Sequence, residues 1–202
     1  PIHPVSTGMN FGYGEFFPAQ PGVILNLHGM NRILELNRAE RWLRIEAGVS
    51  QGQVAEFLKA RAPEFGFDLT SWLAESSVVG NALERGRSMF AERERFLIGA
   101  KLILASGEVL RTGFDPAARS PVIHGLNLHP LIFQSNLGIV SEGILRLELH
   151  KPTRRYFLTG FKNFSDYSSF TEQLDLQPGL RPLRWFCRNS ISEAPLPPAL
   201  RR

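Results

Sequence analysis

The sequence predicts an α+β fold, and three observations carry that reading. Short β-type runs recur along the chain, each bounded by Gly, Pro, Asn or Ser. One stretch, Ser50-Gln51-Gly52-Gln53, carries a complete helix-start signal. The 202 residues include 18 Gly and 14 Pro, a content that argues against a helical bundle or coiled coil. Hydrophobic residues make up 43% of the chain and charged residues 21%, which is enough apolar material for a core and a composition unlike that of a disordered chain. The length predicts one folded unit with room for two lobes.

The elements follow in order. Residues 4–14, PVSTGMNFGYG, read as a loop, because Gly8, Gly12 and Gly14 stand among Ser6, Thr7 and Asn10. Residues 23–27 form a β-type run. Residues 33–36 and 42–45 read as two short strands joined by the polar turn 37–40. The Ser50 hydroxyl is placed to accept from the Gln53 amide, and the Gln53 side chain to reach back. Val54, Phe57, Leu58 and Arg61 follow at helical spacing, so a helix is predicted over 51–61, ending before Pro63. Residues 96–104 and 108–112 flank Ala105-Ser106-Gly107 and predict a hairpin. Residues 137–149 read as a loop and then an alternating strand, with Ile144, Arg146 and Glu148 opposed by Leu145, Leu147 and Leu149. Ser165 is expected to cap a second helix carrying Tyr167, Phe170 and Leu174. Beyond Gly179 the chain turns proline-rich and basic, and residues 190–202 read as a tail or a cut stub.

Several function classes are disfavoured. The net charge of +4 is too small to imply nucleic-acid binding, and Arg87, Arg93 and Arg95 lack interleaved stacking aromatics. Cys187 is the only cysteine, so no intrachain disulfide and no multi-cysteine metal site is expected. His124 and His129 lack the i, i+4 spacing of a helical ligand pair, and His3, His28 and His150 stand alone, so no metal is expected. Apolar runs such as 23–27 are too short to cross a bilayer, and no membrane association is expected. No secretory signal is visible. The start at Pro1 reads as processed or cut, so a cytoplasmic location is expected with the periplasm left open.

Three segments carry chemical interest. In the first, residues 6–14, small residues let the backbone approach a ligand, and successive N–H groups form a concave anion site. It is neither a Walker loop nor a dinucleotide fingerprint, and an ordinary glycine turn remains the alternative. The second, Gly80-Asn81-Ala82-Leu83-Glu84-Arg85-Gly86, reads as a ligand-lining turn or a solvated loop. In the third, residues 133–140, Asn136 and Gly138 interrupt an apolar stretch. That pattern fits the close approach of a flat ligand or a bulge at a strand entry.

Together these segments resemble the flavin-binding domain of the vanillyl-alcohol oxidase and p-cresol methylhydroxylase family. The resemblance runs over roughly residues 1–182, leaving 183–202 as an entry into a further domain or a tail. Pro4-Val5-Ser6-Thr7-Gly8-Met9-Asn10-Phe11-Gly12-Tyr13-Gly14 resembles the family's pyrophosphate loop. Val23-Ile24-Leu25-Asn26-Leu27 and Met30-Asn31-Arg32-Ile33-Leu34 resemble the strand and turn that follow. Glu46-Ala47-Gly48-Val49-Ser50-Gln51-Gly52-Gln53 resembles the next strand end and helix start. Residues 80–86, 104–113 and 133–140 resemble a flavin-lining segment, a hairpin and the last flavin-contacting loop. Six such pieces in the family's order are specific where each alone is weak.

The resemblance implies a PCMH-type FAD-binding domain, with FAD held between two α+β lobes that divide near residues 60–80. It implies that backbone N–H groups of Ser6, Thr7, Gly8, Met9, Asn10, Phe11 and Gly12 meet the pyrophosphate. Gly80, Asn81, Arg85 and Gly86 would lie near the flavin or its chain, and Gly138, Ile139 and Val140 along the cofactor. Tyr13 matches a tyrosine that in phenol oxidases helps hold the substrate phenolate, with packing beside glycine turns as its alternative. The implied reaction is hydride transfer from a small, phenolic substrate to flavin N5, in a protein that forms homo- or hetero-oligomers.

This sequence also departs from the family. Met9 stands where the family usually has arginine. Residues 87–95 replace a Tyr- and Gly-rich stretch that ends in an acid working near the flavin; Glu94 or Glu92 stands as its replacement, against a solvated charge run. The family's leading βαβ unit and its substrate cap have no counterpart here. The chain by itself is therefore expected to oxidise a phenol poorly or not at all. A degenerate, non-catalytic relative acting as a structural or partner module is the rival reading. A lactate-type or sugar-type oxidase is a weaker one.

Overall fold

The computed structural model describes residues 1–9, 20–67, 73–84, 95–117, 127–150 and 159–175. The chain forms two compact units, Pro1–Arg155 and Tyr156–Arg202.

The first unit begins with β1 (Ile2–Val5) and β2 (Val23–Asn26), a parallel pair in which Ile2 stands opposite Val23. It continues with β3 (Ile33–Asn37), β4 (Trp42–Glu46), α1 (Gln51–Arg61), β5 (Phe65–Gly66) and α2 (Val78–Leu83). It ends with β6 (Leu97–Leu104), β7 (Val109–Gly113), a 3-10 turn over His129–Ile132, β8 (Gly138–Arg146) and β9 (Glu148–Leu149). Five strands form one antiparallel sheet in the order β3-β4-β8-β6-β7, so the last long strand enters at the centre. β5 and β9 make a separate two-stranded pair.

Alternation sorts the sheet into two faces. Leu43, Ile45, Leu97 and Leu102 point into a core completed by Val54 and Leu58 of α1 and Val78 and Val79 of α2. The other face carries a row of alternating charge. Lys101 Nζ lies 2.7 Å from Glu142 Oε1 on the adjacent strand, and Arg44 Nη2 lies 2.9 Å from Glu35 Oε2. Cross-strand pairs of this kind favour one register over its neighbours.

The helix predicted over 51–61 forms with its full capping box. Ser50 Oγ accepts from Gln53 N at 3.2 Å, and Gln53 Oε1 accepts from Ser50 N at 2.9 Å. The hairpin forms as β6 and β7. Three expectations are corrected. The alternating strand is interrupted at Leu147, between β8 and β9, where pairing passes from β4 and β6 to β5, and a separate register shift against β6 between Lys101 and Leu102 makes Ser141 an extra residue. Both Ile144 and Leu145 are buried, as befits a central strand; Ile144 shares a small cleft on the charged face with Arg44 and Phe114. In the second unit α3 (Phe164–Asp175) contains Ser165 rather than being capped by it. The cap is Asn163, whose Oδ1 accepts from Asp166 N at 2.9 Å. Residues 80–83, read as part of a turn or loop, belong to α2.

His129 has a structural task. Its Nε2 lies 2.6 Å from the Leu97 carbonyl and its Nδ1 3.0 Å from Thr112 Oγ1. A carbonyl only accepts, so Nε2 carries the hydrogen and Nδ1 accepts from the Thr112 hydroxyl. Burial pushes the ring's pKa down and keeps it neutral. Among the described residues, no helix is long and apolar enough to cross a membrane.

Candidate functional site

The site is organised by α2, a helix of 6 residues. Glycine and asparagine inside so short a helix are poor formers, so the turn is held by its cap and its packing. Ser77 is the N-cap: its Oγ accepts from Gly80 N at 2.9 Å and donates to the Ala47 carbonyl at 2.7 Å. Val78, Val79 and Ala82 face the core. A side chain at Gly143 of β8 would collide with Val79 and Leu97, so the absence of one lets α2 lie close on the sheet.

The chain leaving β1 meets this helix. Ser77 N donates to Thr7 Oγ1 at 3.1 Å. A Cβ added at Gly80 would stand 2.5 Å from Ser6 Oγ, so a side chain there would turn the Ser6 hydroxyl out of its place where the first segment crosses the second. At the helix's other end, Gln134 N donates to the Leu83 carbonyl at 2.8 Å. The three segments singled out by sequence therefore meet around one helix.

The individual residues stand as follows. Ser6, Thr7 and Gly8 are partly buried, and Met9 is 51% exposed. Gly8 takes φ +70°, a conformation that glycine adopts without strain. Among the described residues, no acceptor takes the amide N–H groups of Ser6, Thr7, Gly8 and Met9. The amino end of α2 is largely used: the amides of Ser77, Val78 and Gly80 donate to Thr7, Val49 and Ser77, and among the described residues only the Val79 amide of this end finds no acceptor. An anion arriving here would be met chiefly by the loop's amides. Gly80 and Asn81 lie within α2. Gly138, Ile139 and Val140 open β8 and pair with Leu104, Ile103 and Leu102. Gly138 has a packing reason of its own, since a Cβ there would strike the Ile103 carbonyl at 2.5 Å. Asn10, Phe11, Gly12, Tyr13, Arg85, Gly86, Glu92 and Glu94 lie outside the described residues.

Sequence reasoning passed over Ser77. Its signal was present: a Ser-Ser pair immediately before Val78-Val79 is a helix start. It also left Arg32 and Glu46 without a role. Arg32 Nη2 lies 2.8 Å from Glu46 Oε1, and Arg32 N donates to Glu46 Oε2 at 2.8 Å. These bonds hold the Glu46 carboxyl below its usual range and raise the Arg32 guanidinium. The pair ties the turn after β2 to the end of β4. Ala47 follows, anchored by its N–H on the Ser141 carbonyl at 2.9 Å, and presents its own carbonyl to Ser77.

The arrangement fits a diphosphate-bearing cofactor. Four amides that no described residue engages and a left-handed glycine suit a multiply charged group, which a packed turn would exclude. Comparison with known proteins agrees. A family model described as an FAD binding domain matches residues 1–113. The 1'-carboxy-chondrochloren decarboxylase of Chondromyces crocatus is 40% identical over 151 residues, 70% of this chain and 28% of that protein. The flavoprotein subunit of 4-cresol dehydrogenase (hydroxylating) from Pseudomonas putida is 31% identical over 193 residues, 91% of this chain and 36% of that subunit. The solved 4-ethylphenol oxidase of Gulosibacter chungangensis, in its isoeugenol complex, superposes with TM-score 0.74 at 30% identity, over 89% of this chain and 36% of that one. The chain thus spans about a third of the length of the relatives it matches. On these grounds the chain belongs to the FAD-binding domain family, with the PCMH-type α+β fold and FAD as its cofactor.

Proposed function

We propose that this chain is the FAD-holding part of a flavin-dependent oxidoreductase that takes a hydride from a small phenolic substrate. The observation that carries the reading is the loop at residues 6–9, with four amides that no described residue engages and Gly8 at φ +70°, resting on α2. The amides of Ser6, Thr7, Gly8 and Met9 would receive the diphosphate. Gly80, lacking a side chain, lets that loop lie against the helix. Bound FAD would supply the two-electron acceptor. The protein's share is to orient the cofactor and keep the loop's dipoles fixed beforehand, so that none reorganises when charge arrives. The phenolic substrate is supported by the names of the cresol and ethylphenol relatives. The decarboxylase in the same group of relatives marks how readily the chemistry changes on one cofactor fold.

A second reading has its own observation. Met9 brings no charge to the loop, in keeping with a non-catalytic relative whose hold on the cofactor has weakened. One experiment separates the two. The chain is mixed with FAD, freed of excess by gel filtration, and its visible spectrum recorded before and after acid precipitation. The proposal expects a yellow protein, and the acid step reports whether the flavin is covalently attached. A colourless protein after reconstitution overturns it in favour of the second reading.

A further inference from the structure

We propose that Thr7 and Ser77 form a latch that positions the phosphate-receiving loop, so that the Thr7 hydroxyl serves the protein and the backbone around it serves the ligand. The proposal rests on the FAD reading above. Ser77 is buried and meets three groups, the Ala47 carbonyl, the Gly80 amide and the Thr7 hydroxyl. Its hydroxyl donates to the Ala47 carbonyl at 2.7 Å and accepts from Gly80 N at 2.9 Å, which fixes the direction of its own backbone N–H. That N–H points at Thr7 Oγ1, 3.1 Å away. The bond spans 70 positions in sequence. The Thr7 oxygen thereby accepts from an amide, while among the described residues nothing engages the amides at positions 6–9.

The neighbouring contacts give the latch its leverage. Leu27 N donates to the Val5 carbonyl at 2.7 Å, so the strand before the loop is held as β1 ends. Ser6 passes close over Gly80, where an added Cβ would displace the Ser6 hydroxyl. Thr7 is thus the loop's hydrogen-bonded fixed point between β1 and Gly8, where the backbone turns left-handed. A loop fixed at that point presents its amides in one arrangement; a loop released there must be ordered by the ligand, at a cost in affinity.

The test uses the full chain and two readouts. Thr7→Val keeps the shape and removes the acceptor, Thr7→Ser keeps the hydroxyl, and Ser77→Ala removes the brace. Amide hydrogen exchange at residue 77 reads the latch without any flavin, and FAD affinity by flavin fluorescence reads its effect on binding. In Thr7→Val the Ser77 amide exchanges about tenfold faster and FAD binds about tenfold more weakly, the scale of one lost hydrogen bond. Thr7→Ser restores both. Ser77→Ala, which also removes the cap of α2, weakens FAD binding at least as much as Thr7→Val. Unchanged protection of the Ser77 amide in Thr7→Val overturns the latch. Lost protection with unchanged affinity overturns its positioning role. A wild-type chain that protects this amide yet takes up no FAD overturns the functional reading and reduces the latch to a folding contact.

Discussion

The five-stranded sheet and the β1–β2 pair are built from similar residues and supported in opposite ways. In the sheet, Leu43, Ile45 and Leu97 are each 0% exposed. In the pair, Ile2 is 60% and Val23 64% exposed, and Ile24 and Leu25 are open on opposite faces of β2. Parallel strands ordinarily bury both faces; among the described residues this pair buries neither fully, Ile2 and Pro4 being exposed and His3 and Val5 half-buried. It is held at its ends instead. Val23 N donates to the Pro1 carbonyl at 2.9 Å, Leu27 N to Val5, and the turn beyond β2 receives Gly48 N on the Met30 carbonyl at 2.8 Å. The sheet therefore carries the stability, while a few polar contacts carry the position of the loop that follows β1. Stability and cofactor affinity should separate under mutation.

The largest effect tests the sheet. Leu43→Ala removes a fully buried side chain from the middle of β4. It is expected to cost about 2–5 kcal/mol in urea-induced unfolding, the range for emptying a packed core site. A loss of less than about 1 kcal/mol would mean that the sheet tolerates cavities as a surface does, and the contrast would fail.

The next effect sits on the seam between the two regions. Glu46 is buried at the end of β4 and bonded to Arg32 beyond β2. Its folded pKa is depressed, mainly by the Arg32 side-chain hydrogen bond. Below the usual carboxylate range the unfolded chain binds a proton that the folded chain resists. The pair's contribution is therefore full at neutral pH, begins to fade as pH falls through the ordinary glutamate value, and is gone once pH passes the lowered one. Urea midpoints measured from neutral pH to about pH 3 should fall along this limb in the wild type. Glu46→Gln should start lower and fall less steeply. Parallel curves would remove Glu46 from the seam.

The same contrast explains what could be read from the residues alone. The capping box at Ser50 and Gln53, the strands around Trp42 and the hairpin at Gly107 were legible because their signals are local: a cap four residues long, a period of two, a turn glycine. β1 was hidden beside a glycine-rich stretch, since Ile2 to Val5 has few residues and its half-buried face carries only His3 and Val5, too little to impose a pattern. α2 was hidden because Gly80 and Asn81 disfavour a helix locally, and only the Ser77 cap and the buried Val78 and Val79 hold it. The Ser165 cap failed by two residues, Asn163 offering the better-placed acceptor. In the site, the importance of residues 6–9 was legible from composition. Their docking through Thr7 and Ser77 was not, because a contact across 70 positions leaves no local trace.

The smallest effect sharpens the contrast from the other side. Val23→Thr replaces a methyl by a hydroxyl on the face that β2 shares with Ile2, its register partner. Both residues are β-branched, so strand propensity changes little. What differs is the cost of desolvating a hydroxyl, and that cost arises only where water is excluded. At a side chain 64% exposed the hydroxyl keeps its water, and the unfolding free energy should move by no more than about 0.5 kcal/mol. FAD affinity should not move, since Val23 reaches the loop only through the backbone of β1. A loss approaching about 2 kcal/mol would mean that this face is covered in solution. The β1–β2 pair would then belong to a second core, and the division of labour between sheet and loop would have to be redrawn.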